Sequence, residues 1–256
     1  MTDDHPSMSQ PRPFLLESAL TTSLHFASDE IQSQMWKHAP DALALEYTQT
    51  MMGFMLFNLA PERIAMIGLG GGSLAKFCHR HLPDSRIDVV EINPQVVALR
   101  DAFQVPPDDH RFQVLLGDGA DLVGKARAEF DVLLVDGYDR GGLPPRLCTP
   151  GFYRQCRCAL RPAGVMVANI VCAHPRYDTL IRQLREAFDN RVLVVRDGDC
   201  RNDIVFAWSG ELDDRHLSDQ GRPLQIRSEA WDHLVPAMDR VRFAWRDRVR
   251  GQRLAR

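Results

Sequence analysis

Short, nearly continuous apolar runs recur at Arg63–Gly68, Ile87–Ile92, Phe112–Leu116, Phe130–Asp136, Val165–Val171, Val192–Val195 and Ile204–Trp208, and helically periodic stretches separate the first six. A strand buried on both faces has no wet side to alternate with. Runs of this kind therefore predict a mostly parallel sheet with helices on both faces. Only Arg196–Asp203 joins the last two runs. That is too short for a crossover helix and predicts an antiparallel hairpin.

The flanks read differently. Residues 1–14 are polar and proline-bearing and are expected to fray. Leu20–Ala27 alternates loosely, as a short strand or hairpin arm does, and Leu43–Phe57 has helical spacing that carries Tyr47 toward Pro61. Beyond Glu211 the chain is more polar, with an apolar patch at Trp231–Met238 and seven arginines from Arg240 onward, which reads as a solvated helix. The expected division is a short β/helical segment over 1–60, a Rossmann-like domain over 61–210 and a helical extension over 211–256. The expected fold class is α/β: a Rossmann-like, methyltransferase-type sheet of seven strands, mostly parallel, with an antiparallel edge hairpin and a short N-terminal β segment.

Composition narrows the partners. The 256 residues carry a formal charge of −3, with 45% hydrophobic and 25% charged residues, so no global field argues for nucleic acid or an anionic membrane. A small-molecule ligand is the better starting point. The longest uncharged run, Tyr47–Pro61, contains Thr48, Gln49, Thr50 and Asn58 and is no membrane span. Asp3 and Asp4 stand where a secretory leader would be basic, which favours a cytoplasmic location. Cys156 and Cys158 form a lone CxC among six scattered cysteines; reduced thiols, with no metal site, are the expectation.

Candidate chemistry gathers at strand ends. The first run enters Gly68-Leu69-Gly70-Gly71-Gly72-Ser73 and then a helix. Glycines let the backbone turn sharply and approach a ligand, and the helix start offers free N–H groups. Glu91 closes the second run about twenty residues later, where a carboxylate can accept both hydroxyls of a ribose. Asp118-Gly119 closes the third, where a carboxylate can accept the exocyclic amine of an adenine. The fourth run delivers Asp136 and Asp139, two carboxylates that are costly to bury unpaired and so should face a cleft. All lie on the sheet edge where ligands bind in open α/β folds.

This ordered set resembles the spermidine synthase (polyamine aminopropyltransferase) family. The resemblance rests on the glycine turn, Val90-Glu91-Ile92, Asp118-Gly119, Phe130–Asp136 followed by Asp139, Phe152-Tyr153 and Leu160-Arg161-Pro162-Ala163-Gly164, with Tyr47 ahead of the glycines. It spans about residues 43–210 and is nearest in pattern to short bacterial spermidine synthase-like proteins. It implies transfer of an aminopropyl group from decarboxylated S-adenosylmethionine to an amine such as putrescine, releasing methylthioadenosine. The donor is then a co-substrate rather than a tightly bound cofactor, and a homodimer is the implied assembly. Residue by residue, Gly68, Gly70, Gly72, Glu91, Asp118 and Gly119 would hold the donor. Asp136 would take the amine proton, and Tyr47, Asp139 and Gln32 would position the amine.

The pattern also departs from that family. Gly71 stands where the family's glycine turn carries an aspartate for the donor ammonium, Leu69 replaces a glycine, Thr48 follows Tyr47, and Gly137-Tyr138-Asp139-Arg140 replaces a smaller, less basic loop. Two alternatives therefore stay open at this point: a methyltransferase using intact S-adenosylmethionine, and an adenosyl-binding homologue without turnover. A nicotinamide-dependent oxidoreductase fits the glycine spacing least well.

Overall fold

A computed structural model describes residues 12–26, 31–139, 142–198, 201–212, 217 and 226–254. A three-stranded antiparallel sheet opens the chain: β1 (Phe14–Glu17), β2 (Thr21–His25) and β3 (Ser33–Trp36). Of these, only β2 falls in a stretch whose alternation is visible in the sequence. Leu24 and Met35 turn inward, which fastens the small sheet to the main body. Helix α1 (Glu46–Met51) runs on as a 3-10 turn, Met52–Leu56, whose residues are all buried.

The main sheet holds seven strands: β4 (Arg63–Ile67), β5 (Arg86–Glu91), β6 (Phe112–Leu116), β7 (Phe130–Val135), β8 (Leu160–Val171), β9 (Val192–Arg196) and β10 (Asn202–Trp208). Their order is β6-β5-β4-β7-β8-β10-β9. The pairs β4–β5, β5–β6, β4–β7 and β7–β8 are parallel. Strand β10 runs antiparallel to both β8 and β9, so the reversed strand lies one place in from the edge and β9 closes it. This matches the expected class, a mostly parallel sheet with an antiparallel edge hairpin.

Helices α2 (Ser73–His81), α3 (Pro94–Val97), α4 (Gly119–Lys125), α5 (Pro150–Ala159) and α6 (Tyr177–Ala187) occupy the connections, and α7 (Ser228–Leu254) follows β10. Strand β4 shows how the pleat divides the core. Ile64 and Met66 join a cluster with Met51, Phe77 and Trp245, while Ala65 and Ile67 join one with Val123, Phe152 and Leu180. The chain leaves β4 in one direction through β5 and β6 and in the other through β7 and β8. That reversal makes the carboxyl ends of β4 and β7 the topological switch point, the place where open α/β sheets form their ligand crevice.

The C-terminal helix corrects one expectation. Trp231, Leu234, Met238, Val241 and Trp245 of α7 are buried. Several of its arginines also work inward rather than in solvent. Arg240 donates to Thr50 Oγ1 at 3.0 Å, and Arg248 donates to the carbonyls of Val192 and Asn190 at 2.8 and 2.6 Å while lying 5.1 Å over the Trp208 ring. Helix α7 is thus a covering element of the sheet, fixed by its tryptophans and guanidinium groups.

Candidate active site

The glycine turn sits at the switch point, and its geometry follows from what lies beside it. Gly68 has φ +95°, and a side chain there would come within 2.3 Å of the Asp136 carbonyl oxygen. Only glycine allows β4 and β7 to deliver their loops this close together. Gly70 and Gly72 also take left-handed backbone angles, with φ +53° and +69°, and Gly72 precedes α2 directly. The Glu91 carboxylate holds the turn: Oε2 accepts the Leu69 N–H and Oε1 the Asn93 N–H, both at 2.8 Å. Glu91 is buried, so these charge-assisted bonds fix both the carboxylate and the loop. Beside it, Ile92 and Leu116 are 46% and 61% exposed, an open apolar surface at the ends of β5 and β6.

Asp118 plays a local part that its motif did not reveal. It is the N-cap of α4: Oδ1 accepts the Ala120 N–H at 2.7 Å, and Oδ2 is paired with Arg146, which also reaches Asp121 at 2.6 Å. An exocyclic amine arriving here would share Oδ2 with Arg146 or displace it. Gly119 follows as the first residue of α4, pressed against Ile67.

Gly71 is not merely a position without an acid. A side chain added there would meet the Phe103 ring and Ser33 Oγ, each at 2.7 Å. Phe103 is buried, and its carbonyl accepts a 2.7 Å bond from Lys76 Nζ, which lies inside the fold. Burial lowers the Lys76 ammonium to about 8. The space a carboxylate would need is therefore filled from β3 and from the loop after α3.

On the other side of the crevice Asp136 leaves the end of β7, and its N–H bonds the Ile67 carbonyl at 2.9 Å. Its carboxylate is held by side chains from two other elements. Tyr47 of α1 donates to Oδ2 at 3.0 Å, and Asn169 of β8 donates from Nδ2 to Oδ1 at 2.9 Å. Burial raises the Asp136 carboxyl above the usual aspartate range, while the two donors pull it back down. The residue as a whole keeps partial exposure. Tyr47 is pushed well up, by burial first and then by the neighbouring carboxylate.

Asp139 follows in the loop, its backbone exchanging two 3.0 Å hydrogen bonds with Gly142. Arg140 lies outside the described residues. Gln32 enters β3 with its N–H on the Leu24 carbonyl, and its neighbour Ser33 packs on the glycine turn. No hydrogen bond among the described residues joins the Gln32 side chain to Asp136. The structure thus brings Asp136 and Tyr47 together, sets Gln32 one residue before the Ser33 that packs on the glycine turn, and leaves Glu91 at the end of β5 and Asp118 at the start of α4.

Two contributors were missed by the sequence reading. Asn169 is a lone amide inside the apolar run Val165–Val171, and a polar residue in a doubly buried strand signals a partner. Its Oδ1 is buried and without a hydrogen-bond partner among the described residues. Tyr138, part of the loop that is larger than the family's, directs its hydroxyl into β8. As for cysteines, Cys156 is buried and Cys158 exposed, and among the described residues no group of three or more His, Cys, Asp or Glu could hold a metal ion.

Comparison with known proteins adds an independent line. The family model described as "Spermine/spermidine synthase domain" matches residues 44–192. A polyamine aminopropyltransferase from Chromobacterium violaceum is 41% identical over 186 residues, covering 72% of this chain and 71% of the relative. Among solved structures, a probable spermidine synthase from Corynebacterium glutamicum superposes with a TM-score of 0.68 at 21% identity, covering 86% of this chain and 88% of that one. Human methyltransferase-like protein 13 in complex with SAH superposes with a TM-score of 0.60 at 26% identity, covering 78% and 93%.

Proposed function

The chain belongs to the spermine/spermidine synthase family, and on that premise we propose that it transfers an aminopropyl group from decarboxylated S-adenosylmethionine to a small amine. The observation that carries this reading is the Asp136 carboxylate, held between Tyr47 and Asn169 at the crevice. An alkyl amine is mostly ammonium at neutral pH and cannot attack until it loses a proton. An anionic Asp136 attracts that cation and takes its proton. The freed nitrogen lone pair then forms a bond to the aminopropyl carbon next to sulfur. The carbon–sulfur bond breaks, its electron pair returns to sulfur, and the positive sulfonium becomes the neutral thioether of methylthioadenosine.

Glu91 is the proposed ribose acceptor, its oxygens already oriented by two backbone amides. Asp118 and Gly119 are assigned to the adenine edge, with Ile92 and Leu116 offering apolar surface for the ring. Asp139 and Gln32 are assigned to the distal part of the amine. The protein's remaining task is in-line placement of nitrogen and carbon, worth several kcal/mol of barrier.

A second reading, methyl transfer from intact S-adenosylmethionine, is favoured by one specific feature. At Gly71 the turn presents backbone and the Phe103 ring rather than an acid, so nothing there repels a donor carboxylate. Calorimetric titration with both donors and with methylthioadenosine separates the two. Tighter binding of the decarboxylated donor is expected, and preference for the intact one would replace the first reading with the second.

A further inference from the structure

Strand β7 ends at Val135, whose partner in the parallel ladder is Ala168 of β8. Parallel pairing advances two residues at a time, so a longer β7 would set residue 137 against Ile170. In that arrangement residue 137 would donate to the Asn169 carbonyl and accept the Val171 N–H. The chain does something else: after Asp136 it turns into the crevice, and Gly137 makes no such pair. Both β8 groups are nevertheless satisfied by one atom. The Tyr138 hydroxyl donates to the Asn169 carbonyl and accepts the Val171 N–H, each at 3.0 Å.

A phenol oxygen, with one donor and two lone pairs, can stand in for a backbone amide in this way. The β10 side of β8 is served by the alternate residues, as the Cys172 N–H on the Arg201 carbonyl shows, so the Asn169 carbonyl and the Val171 N–H face away from β10. Without the phenol, a carbonyl and an amide at the strand end would be left without partners, at a cost that buried backbone rarely tolerates. Asn169 carries both halves of the arrangement. Its backbone is held by Tyr138, and its side chain donates to Asp136.

We propose that Tyr138 is a positioning residue for Asp136: its hydroxyl completes the β8 ladder where β7 has departed, and so holds the Asn169 amide on the carboxylate. This rests on the aminopropyl-transfer reading only in calling Asp136 the proton acceptor; the mechanical coupling stands apart from it. The device separates two demands on one segment. Asp136 needs to leave the sheet to meet an amine, and β8 needs its ladder closed to keep Asn169 in register.

The titratable groups facing Asp136 are Tyr47 from α1 and Tyr138 from its own loop, with the neutral Asn169 amide from β8. Tyr47 and Asn169 both favour the ionised carboxylate. Loosening Asn169 therefore moves the Asp136 titration to higher pH.

The test uses the full chain, free of ligand, and follows the Asp136 carboxyl carbon by NMR through a pH titration. Tyr138→Phe is expected to raise the Asp136 midpoint by about one pH unit and to move the acid limb of kcat upward by the same amount, with the donor affinity unchanged. Asn169→Leu should produce the same rise, and combining the two should add little further. An unmoved midpoint in Tyr138→Phe, or shifts that simply add, would overturn the proposal. If Tyr138→Phe folds poorly, hydrogen exchange in the unaltered chain decides: the Val171 amide should be protected like its ladder neighbours, and free exchange there would refute the hydroxyl's role. Neither the titration nor the exchange needs substrate. Failure of every amine to react would sink the transfer reading and leave this coupling standing.

Discussion

At the end of β5, Glu91 has each carboxylate oxygen on a backbone N–H, one of them two residues away and the other 22. At the end of β7, Asp136 has each oxygen on a side chain, one 89 and one 33 residues away. Backbone donors are set by the course of the chain and change little, which suits the ribose recognition proposed for Glu91. Side-chain donors at the rim of a crevice can be tuned one atom at a time. Burial raises the Asp136 carboxyl while Tyr47 and Asn169 oppose that rise, which suits a group that takes up and returns a proton. On the proposed assignment, the end of β5 is built for recognition and the end of β7 for titration.

The contrast is broken most severely at Asp136. Asp136→Asn keeps the shape and removes the base, so kcat should fall roughly 10²- to 10⁴-fold while methylthioadenosine binds as before. The pH profile gives the same contrast a sign. Asp136 accepts a proton only when ionised, so kcat/KM should fall as pH drops through its raised value, with the acid limb above the ordinary aspartate value of about 3.9. A limb at that ordinary value would deny burial its part. Glu91→Gln probes the other side: it sets an amide N–H₂ against backbone donors and should weaken methylthioadenosine roughly 10- to 100-fold, read by calorimetry. Turnover at saturating donor should change far less, and a loss confined to kcat would erase the division of labour.

Gly71→Asp sharpens the donor side with the smallest effect. The added side chain collides with Phe103 and Ser33, so thermal denaturation should show a loss of about 1–3 kcal/mol, shared largely by Gly71→Ala. An unchanged Tm would mean that the turn has room for an acid after all.

How much of this was legible along the chain follows the same divide. The strand runs, the glycine turn and Glu91 depend on contacts within one β-α-β unit, and periodicity and spacing carry them well. The small sheet was only half visible, because β1 and β3 are four residues each and take their partners from β2. Asp118 was read as a ligand group alone. Its capping bond was implicit in the helix that starts one residue later, but its pairing with Arg146 depends on a loop 28 residues on. The arginines of α7 looked solvated because charge predicts exposure, while Arg248 finds carbonyls 56 and 58 residues back. Asn169 left one trace, an amide in an apolar strand. Tyr138 left none, since nothing in the string Asp136-Gly137-Tyr138-Asp139 says that the phenol takes the place of a strand.

Whether Asp136 accepts a proton in aminopropyl transfer is decided by identifying products. The chain is incubated with decarboxylated S-adenosylmethionine and putrescine, and the mixture is resolved by mass spectrometry. Methylthioadenosine and aminopropylated amine in equal amounts are expected from the unaltered chain, with both nearly abolished in Asp136→Asn. An inert decarboxylated donor, together with S-adenosylhomocysteine and a methylated amine from intact S-adenosylmethionine, would make the protein a methyltransferase instead.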